Sequence, residues 1–312
     1  SALSTNLKLP YLDALNIILP LGISFYIFQT MSYTIDLYWG KVKVEKNFLT
    51  FLTYVSMFPQ LVAGPIVRYE DVAKELKSRK IDFNCFSDGL FIFLTGLFMK
   101  VLIANNVGYL HSLILGNISN ISLMTAWLGI VAYAIQIYFD FNGYSTMALG
   151  MGKMLGFKYP KNFNYPYIAT SITDFWRRWH MTLSTWFRDY VYIPLGGNRV
   201  KKYRWLINIM IVWTLTGIWH GASWNFIVWG LYFALLLTLE KLWLGKILAK
   251  SRVLSRIYVL FLIAVSFVIF NASSMGEAVS YIGGMFGINT AGLYDSSWLY
   301  YLSSYAFILI IA

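Results

Sequence analysis

Cysteine occurs once in the 312 residues, at Cys85. One thiol excludes an internal disulfide and any zinc site built from several thiolates. Charge is scarce as well: Asp, Glu, Lys and Arg make up 12% of the chain, about half of the roughly 25% usual in soluble domains. No polar stretch is long enough to carry a core of its own, which excludes a separate soluble catalytic domain. A P-loop, a G-x-G-x-x-G turn after a strand and a G-x-S-x-G nucleophile elbow are all absent. Internal repeats, low-complexity tracts and a cleavable signal with a basic leading region are not seen either.

What is present is apolar. Hydrophobic residues reach 58% and aromatic residues 19%, and the mean hydropathy is +0.58. Such a chain suits lipid, with Trp and Tyr available for two membrane boundaries. The apolar runs are continuous and lack the period-two alternation of an outer-membrane barrel, so the spans are expected to be helices. They fall at 12–37, 48–63, 89–104, 123–139, 205–239, 257–270 and 298–312. Several are shorter than the roughly 20 residues of a full crossing, so tilt, local thinning or burial in a bundle has to cover the difference. The fold class this predicts is all-α: one polytopic membrane-embedded domain over 1–312, with re-entrant and interfacial helices.

Of the 25 basic residues, only Lys8 and Lys100 lie outside segments 40–47, 64–84, 142–204 and 240–256, while 105–122 and 271–297 contain none. The positive-inside rule makes the first group cytoplasmic and the second extracytoplasmic. Run 205–239 then starts and ends on the same side, and has to enter and return. Its turning point is "HGASWN" at 220–225. An arm from 205 to 219 reaches only about 22 Å at 1.5 Å per residue, against a hydrocarbon core of about 30 Å. His220 is therefore expected on a hairpin tip within the membrane. Non-helical backbone at that depth is tolerated where it is buried or lines a wet cavity. Two readings of His220 stand here: a functional group facing a cavity, or a histidine whose ring nitrogens simply bond to neighbouring helices. Run 48–63, broken by Pro59, is expected to be a second re-entrant or interfacial segment.

Segment 171–199, "SITDFWRRWHMTLSTWFRDYVYIPLGGNR", predicts a helix capped by Ser171 or Thr173, with Asp174 in its first turn. Phe175, Trp179, Leu183 and Trp186 share one face, and Asp174 pairs with Arg178 at i,i+4. The plain reading is an amphipathic helix on the cytoplasmic surface, its arginines meeting lipid phosphate. The sharper one is that Arg177 and Arg178 steer an anionic cytoplasmic substrate. His180, one turn past Trp176, points toward the protein, whereas His111 has no polar constellation nearby. The stretch "IYFDFNGYSTMALGMGKMLGF" (137–157) ends one span at Asp140 and Asn142 and continues with glycines suited to close helix approach. Asp140 is either a partner for a histidine or a helix-end charge in water.

Five ordered segments, "LPLGISFYIFQTMSYTIDLYWG" (19–40), "FPQLVAGPIVRYEDV" (58–72), "FDFNGYSTMALGMGKMLGF" (139–157), "DFWRRWHMTLSTWFRDYVYIPLGGNR" (174–199) and "GIWHGASWNFIVWGLYF" (217–233), together resemble the membrane-bound O-acyltransferase (MBOAT) family. They are most similar to its bacterial branch around the alginate O-acetylation membrane subunit. The resemblance implies a helical fold around a tunnel or funnel that reaches an essential histidine deep in the membrane. His220 matches that position, and His180 matches a second histidine common in the branch. It also implies further helices before and after those seen here, and a bacterial cytoplasmic (inner) membrane.

The function expected from these readings is acyl transfer, most simply of an acetyl group, from acetyl-CoA or another cytoplasmic acyl thioester toward a hydroxyl on the other side. His220 is the expected general base, and His180 helps to position donor or acceptor. Trp219, Ser223, Trp224 and Asn225 shape the pocket, with an oxyanion donor from Asn225 or a tip amide. Trp176, Arg177, Arg178 and Asp140 complete the expected substrate-binding set. No metal and no permanently bound cofactor are expected. Partners are membrane lipid, the thioester donor, an extracytoplasmic acetyltransferase protein and a polysaccharide acceptor, and not nucleic acid. The competing class is a transporter or channel without chemistry of its own, since broken helices and midplane ionisable groups occur there too.

Overall fold

The computed structural model describes residues 22–62, 64–116, 121–288 and 290–312, and every regular element among them is helical. In chain order these are α1 (Ile23–Tyr38), α2 (Phe48–Ser56), α3 (Phe58–Leu61), α4 (Tyr69–Lys77), α5 (Phe83–Phe98), α6 (Asn105–Leu115), α7 (Leu123–Met154), α8 (Ile172–Trp176) and α9 (Met181–Phe187). They continue with α10 (Lys202–His220), α11 (Trp224–Leu239), α12 (Gly245–Leu248), α13 (Arg252–Asn271), α14 (Met275–Met285) and α15 (Ser296–Ile311). Wider π-helical turns at Met99–Ala104 and Glu240–Leu244 join α5 to α6 and α11 to α12, and a third, Arg188–Tyr192, follows α9. Four stretches are long and apolar enough to cross a membrane: Phe83–Leu115, Leu123–Met154, Trp224–Leu248 and Arg252–Asn271. The chain is a multi-pass membrane protein. The part of run 12–37 that precedes residue 22 lies outside the described residues.

The longest helix, α7, does not stop at Asp140 as the sequence suggested. It runs on to Met154 because the residues after Asp140 are small or apolar, and because the carboxylate is paired with Lys100 on the first π-helical turn. The glycines of that extension do what was expected of them. A Cβ on Gly143 would meet the Gly96 carbonyl oxygen at 2.8 Å, and one on Gly150 would meet the Gly89 carbonyl oxygen at 2.6 Å. Glycines seven residues apart on α5 and on α7 thus form one seam, and the two backbones touch along it.

Loop contacts sort the chain into two faces. On one, Lys77 pairs with Glu45, Arg68 with Asp189 and Lys153 with Asp88, Arg79 lies over Phe157, and Lys241 lies over Trp205. These contacts gather the four lysine- and arginine-rich segments. At the far end of α7, the N–H groups of Leu123 and Met124 bond to Gly292 and Leu293, and Asn271 meets His111, which joins the two segments free of basic residues. The charge asymmetry read from the sequence is therefore a property of two opposite ends of the fold.

The Arg68–Asp189 contact, 2.8 Å long, ties the loop before α4 to the turn after α9. Burial pushes the Asp189 carboxyl up, but hydrogen bonds from Arg188 and Arg68 outweigh it and hold the group below the usual carboxylate range. A carboxyl held low in the fold stabilises it above the unfolded value, and that contribution is lost as pH falls through the folded value. Acidification through the carboxylate range is thus expected to lower the melting temperature of wild type more than that of Asp189→Asn. Parallel pH profiles for the two would remove this clamp from the account.

Run 48–63 is interrupted as expected, but two residues earlier than Pro59. Met57 is extended, and Pro59 sits in the first turn of α3. Proline is tolerated there, but a continuous helix would set its ring against the carbonyl four residues back, so the break falls upstream.

Segment 171–199 departs from the expected single surface helix. Ser171 caps α8 through the Asp174 N–H, and Arg178 Nε bonds to Asp174 at 2.9 Å, both as read. The helix then ends, and α9 starts after His180, whose φ of 42° is left-handed. The reason is competition for main-chain donors. The N–H of Met181 bonds to the Asn162 carbonyl, and that of Thr182 to Asn162 Oδ1, instead of to the preceding turn. Phe175, Trp179, Leu183 and Trp186 are all buried, so the apolar face is packed inside the protein and does not lie on lipid.

Glu240 holds this broken segment against the hairpin. The buried carboxylate accepts from the N–H of Ile172 at 2.6 Å, and from the N–H and hydroxyl of Thr173, both at 3.1 Å. Hydrogen bonds to a charged group are worth about 1.5–3 kcal/mol, and an orphaned buried donor costs about 1–3 kcal/mol. Glu240→Ala is expected to destabilise the detergent-solubilised protein by about 2–3 kcal/mol, and Glu240→Gln by less. Equal melting temperatures for Glu240→Ala and wild type would contradict that role.

Candidate functional site

Helices α10 and α11 form the hairpin read from run 205–239, with residues 221–223 as its turn. Two glycines close it. A Cβ on Gly217 would strike the Phe226 carbonyl oxygen at 2.4 Å, and one on Gly230 the Trp213 carbonyl oxygen at 2.2 Å. The ascending arm starts three residues earlier than expected, at Lys202, but Lys202 and Arg204 are exposed and charged, so the apolar part still begins at Trp205. His220 is the last residue of that arm.

The His220 ring is enclosed by aromatic side chains. Ring centroids lie 4.7 Å from Trp219, 5.1 Å from Trp229, 5.1 Å from Phe270 and 6.2 Å from Phe226. The side chain is half-buried, and neither ring nitrogen has a hydrogen-bond partner among the described residues. Among the described residues, then, its nitrogens do not bond to neighbouring helices.

Trp219 bridges to the second histidine, 6.3 Å from its ring to that of His180. His180 is fully packed, with Phe141 at 4.7 Å and Phe25 at 6.4 Å, and its Nδ1 lies 3.0 Å from Asn162 Oδ1. Extended residues 162–164 run beside 178–181, joined by hydrogen bonds from the Asn164 N–H to the Arg178 carbonyl and from the Met181 N–H to the Asn162 carbonyl. Trp176 reaches the same region through Trp229, at 5.6 Å. The wall is rich in indole donors: the N–H groups of Trp176, Trp219 and Trp229 are buried with no partner among the described residues.

The remaining expected site residues are elsewhere. Asn225 is buried at the tip, but its amide nitrogen already donates to the carbonyls of Ala272 and Ile269 at 2.9 and 3.4 Å, tying the hairpin to the end of α13. That nitrogen is engaged at the end of α13, in place of the oxyanion donor expected of it. Ser223 and Trp224 are exposed, Trp224 by 74%. Arg177 is exposed, Arg178 is held by Asp174 and the Asn164 carbonyl, and Asp140 is paired with Lys100 and bonds to no histidine. A cavity of about 330 Å³, lined by Ile114, Thr125, Asp295 and Tyr301 among others, lies on the face free of basic residues and does not include His220. Sequence reasoning missed Trp229, Phe270 and Asn162. Trp229 was within reach, since Gly217 and Gly230 fix how the hairpin arms pair, but nothing in the sequence marks Asn162 or Phe270.

Residues 42–284 match the family profile described as MBOAT, membrane-bound O-acyltransferase family. The chain is 41% identical to a probable alginate O-acetylase AlgI of Azotobacter vinelandii, over 90% of this chain and 56% of that protein. It is 35% identical to a peptidoglycan O-acetyltransferase of Helicobacter pylori, over 91% and 60% of the two chains. With a teichoic acid D-alanyltransferase of Bacillus subtilis it shares 33% identity, over 72% and 59%. The chain spans a little over half the length of the curated relatives it matches.

Proposed function

Because the chain belongs to the membrane-bound O-acyltransferase family, we propose that it transfers an acyl group, an acetyl group in the simplest case, from a thioester donor to a hydroxyl, with His220 as general base. The donor, acetyl-CoA or another acyl thioester, approaches from the basic face, which is cytoplasmic in this reading. The acceptor hydroxyl comes from the other side. It belongs to a polysaccharide, or to a separate extracytoplasmic acetyltransferase that passes the group on. The membrane is the bacterial cytoplasmic one.

The observation that carries this reading is an imidazole beside a wall of indole donors, none of them hydrogen-bonded among the described residues. An alcohol is a poor nucleophile until a base takes its proton. A neutral imidazole within about 3 Å does so and contributes about 10²–10⁴-fold. The alcohol oxygen then bonds to the thioester carbonyl carbon, and the carbonyl oxygen becomes an oxyanion. The indole N–H groups of Trp219 and Trp229 suit that charge, because an indole can only donate. Collapse breaks the carbon–sulfur bond, and the departing thiolate takes the proton back from the imidazolium. Atoms and charge balance without a further reagent.

The test is incubation of the purified protein, reconstituted in liposomes, with acetyl-CoA labelled in the acetyl group and with soluble sugar acceptors. Label on the acceptor is the expected result. Movement of substrate across the bilayer with no covalent labelling would instead favour a transporter.

A further inference from the structure

The hydrogen-bond chain behind His180 determines where that ring carries its hydrogen. The N–H of Ile66 donates to Thr182 Oγ1 at 3.0 Å, so the hydroxyl hydrogen is free to point onward, and Asn162 Oδ1 lies 3.0 Å from that oxygen. The Thr182 main-chain N–H, which can only donate, faces the same Asn162 atom at 3.3 Å. The Asn162 atom facing His180 is therefore the oxygen and not the amide nitrogen. His180 Nδ1, 3.0 Å from it, has to bear the hydrogen. In the neutral ring Nε2 then holds the lone pair, and that nitrogen is buried with no partner among the described residues. His180 is 3% exposed and its backbone is left-handed at φ 42°, a conformation that side chains disfavour and that persists where the surroundings impose it.

We infer that Asn162 is a positioning residue that locks His180 in the Nδ1–H tautomer, so that Nε2 is an obligate hydrogen-bond acceptor for an N–H or O–H group of the substrate. Most simply that group is an amide N–H in the carrier arm of the thioester, since His180 lies in the segment that leaves the end of α7 and enters the start of α10, both on the basic face. The identity of the ligand rests on the proposed acyl transfer, whereas the tautomer does not. An orienting partner that fixes the tautomer of a working histidine has large effects when it is lost; in the Ser-His-Asp triad the wrong tautomer costs about 10⁴-fold.

The experiment uses the full chain in detergent micelles with ¹⁵N-labelled histidine. The ring has one pyrrole-like and one pyridine-like nitrogen, and a difference spectrum with His180→Gln assigns its signals among the three histidines. The expected result is a hydrogen on Nδ1 in wild type and in Asn162→Asp, which keeps the acceptor oxygen, and a mixture of tautomers in Asn162→Ala. A hydrogen on Nε2 in wild type overturns the inference, whether or not the protein turns over. In the transfer assay, Asn162→Ala is expected to lower kcat/KM by about 10-fold or more, with Asn162→Asp restoring much of it. A loss seated in the thioester KM identifies the carrier arm as the bound group, and one seated in the acceptor KM identifies the hydroxyl. Unchanged kcat/KM in an Asn162→Ala protein that shows the tautomer mixture refutes the role in substrate binding.

Discussion

His220→Ala is expected to cut acyl transfer by about 10²–10⁴-fold while leaving the melting temperature close to that of wild type. The two halves of this result have separate causes. Loss of the base leaves the acceptor hydroxyl protonated, and neither remaining imidazole stands in its place: the lone pair of His180, on Nε2, is on a ring beyond Trp219, and His111 bonds to the Gly129 carbonyl and Asn271. Stability is spared because the His220 ring forms no hydrogen bond among the described residues and is half-exposed. What is lost is its contacts with Trp219, Trp229, Phe270 and Phe226. The measurement is labelled transfer alongside thermal unfolding of the same preparation, with Ser303→Ala on the exposed side of α15 as a control. Turnover in His220→Ala equal to that of wild type would exclude His220 as the base and leave the aromatic cage without a chemical purpose.

A comparably large effect, on stability, is expected at the glycine seam. In Gly150→Leu the new Cβ would sit 2.5 Å from the Phe93 nitrogen and 2.6 Å from the Gly89 carbonyl oxygen. Both are main-chain atoms of a packed helix, so no rotamer change relieves the overlap, and α5 and α7 have to separate. Overpacking costs about 1–3 kcal/mol where side chains can adjust, and a backbone clash belongs at or beyond the upper end of that range. The contrast is Gly284→Ala, where the nearest atom to the new methyl is 3.6 Å away and the fit is ordinary. Melting temperatures in one detergent decide the matter: a steep drop for Gly150→Leu and little change for Gly284→Ala. Equal melting temperatures would show that the seam is looser than its geometry.

The parts of this molecule that were legible beforehand were those governed by lipid. Charge placement located the hairpin and the two ends of the fold, because burying lysine or arginine in hydrocarbon is costly over a whole segment. The spacing of Phe175, Trp179, Leu183 and Trp186 marked an apolar face, which is packed inside the protein and not laid on the membrane surface as expected. It did not reveal the interruption at His180, which depends on Asn162, a residue 18 positions away whose carbonyl and side chain capture main-chain N–H groups. Asp140 misled as a span end because its neutralising partner, Lys100, sits on another helix. At the tip, "HGASWN" was correctly read as the turn. Which of its side chains face inward depended on packing against α13, where Asn225 is drawn to Ala272 and Trp224 is left outside. Local pattern gave periodicity and polarity, while long-range hydrogen bonds decided orientation.

The geometric claim at the centre is that position 220 lies within the bilayer and is reachable from the basic face without being open to bulk water. A single native cysteine makes this directly measurable. In a Cys85→Ser background, His220→Cys is treated in sealed vesicles with a small thiol reagent applied to the basic face, and its rate of modification is compared with that of Arg177→Cys. The account predicts modification that is clearly slower than at the exposed control, complete in time, and blocked for a bulky reagent of the same chemistry. No modification at all, or modification as fast as at position 177 by both reagents, would contradict it.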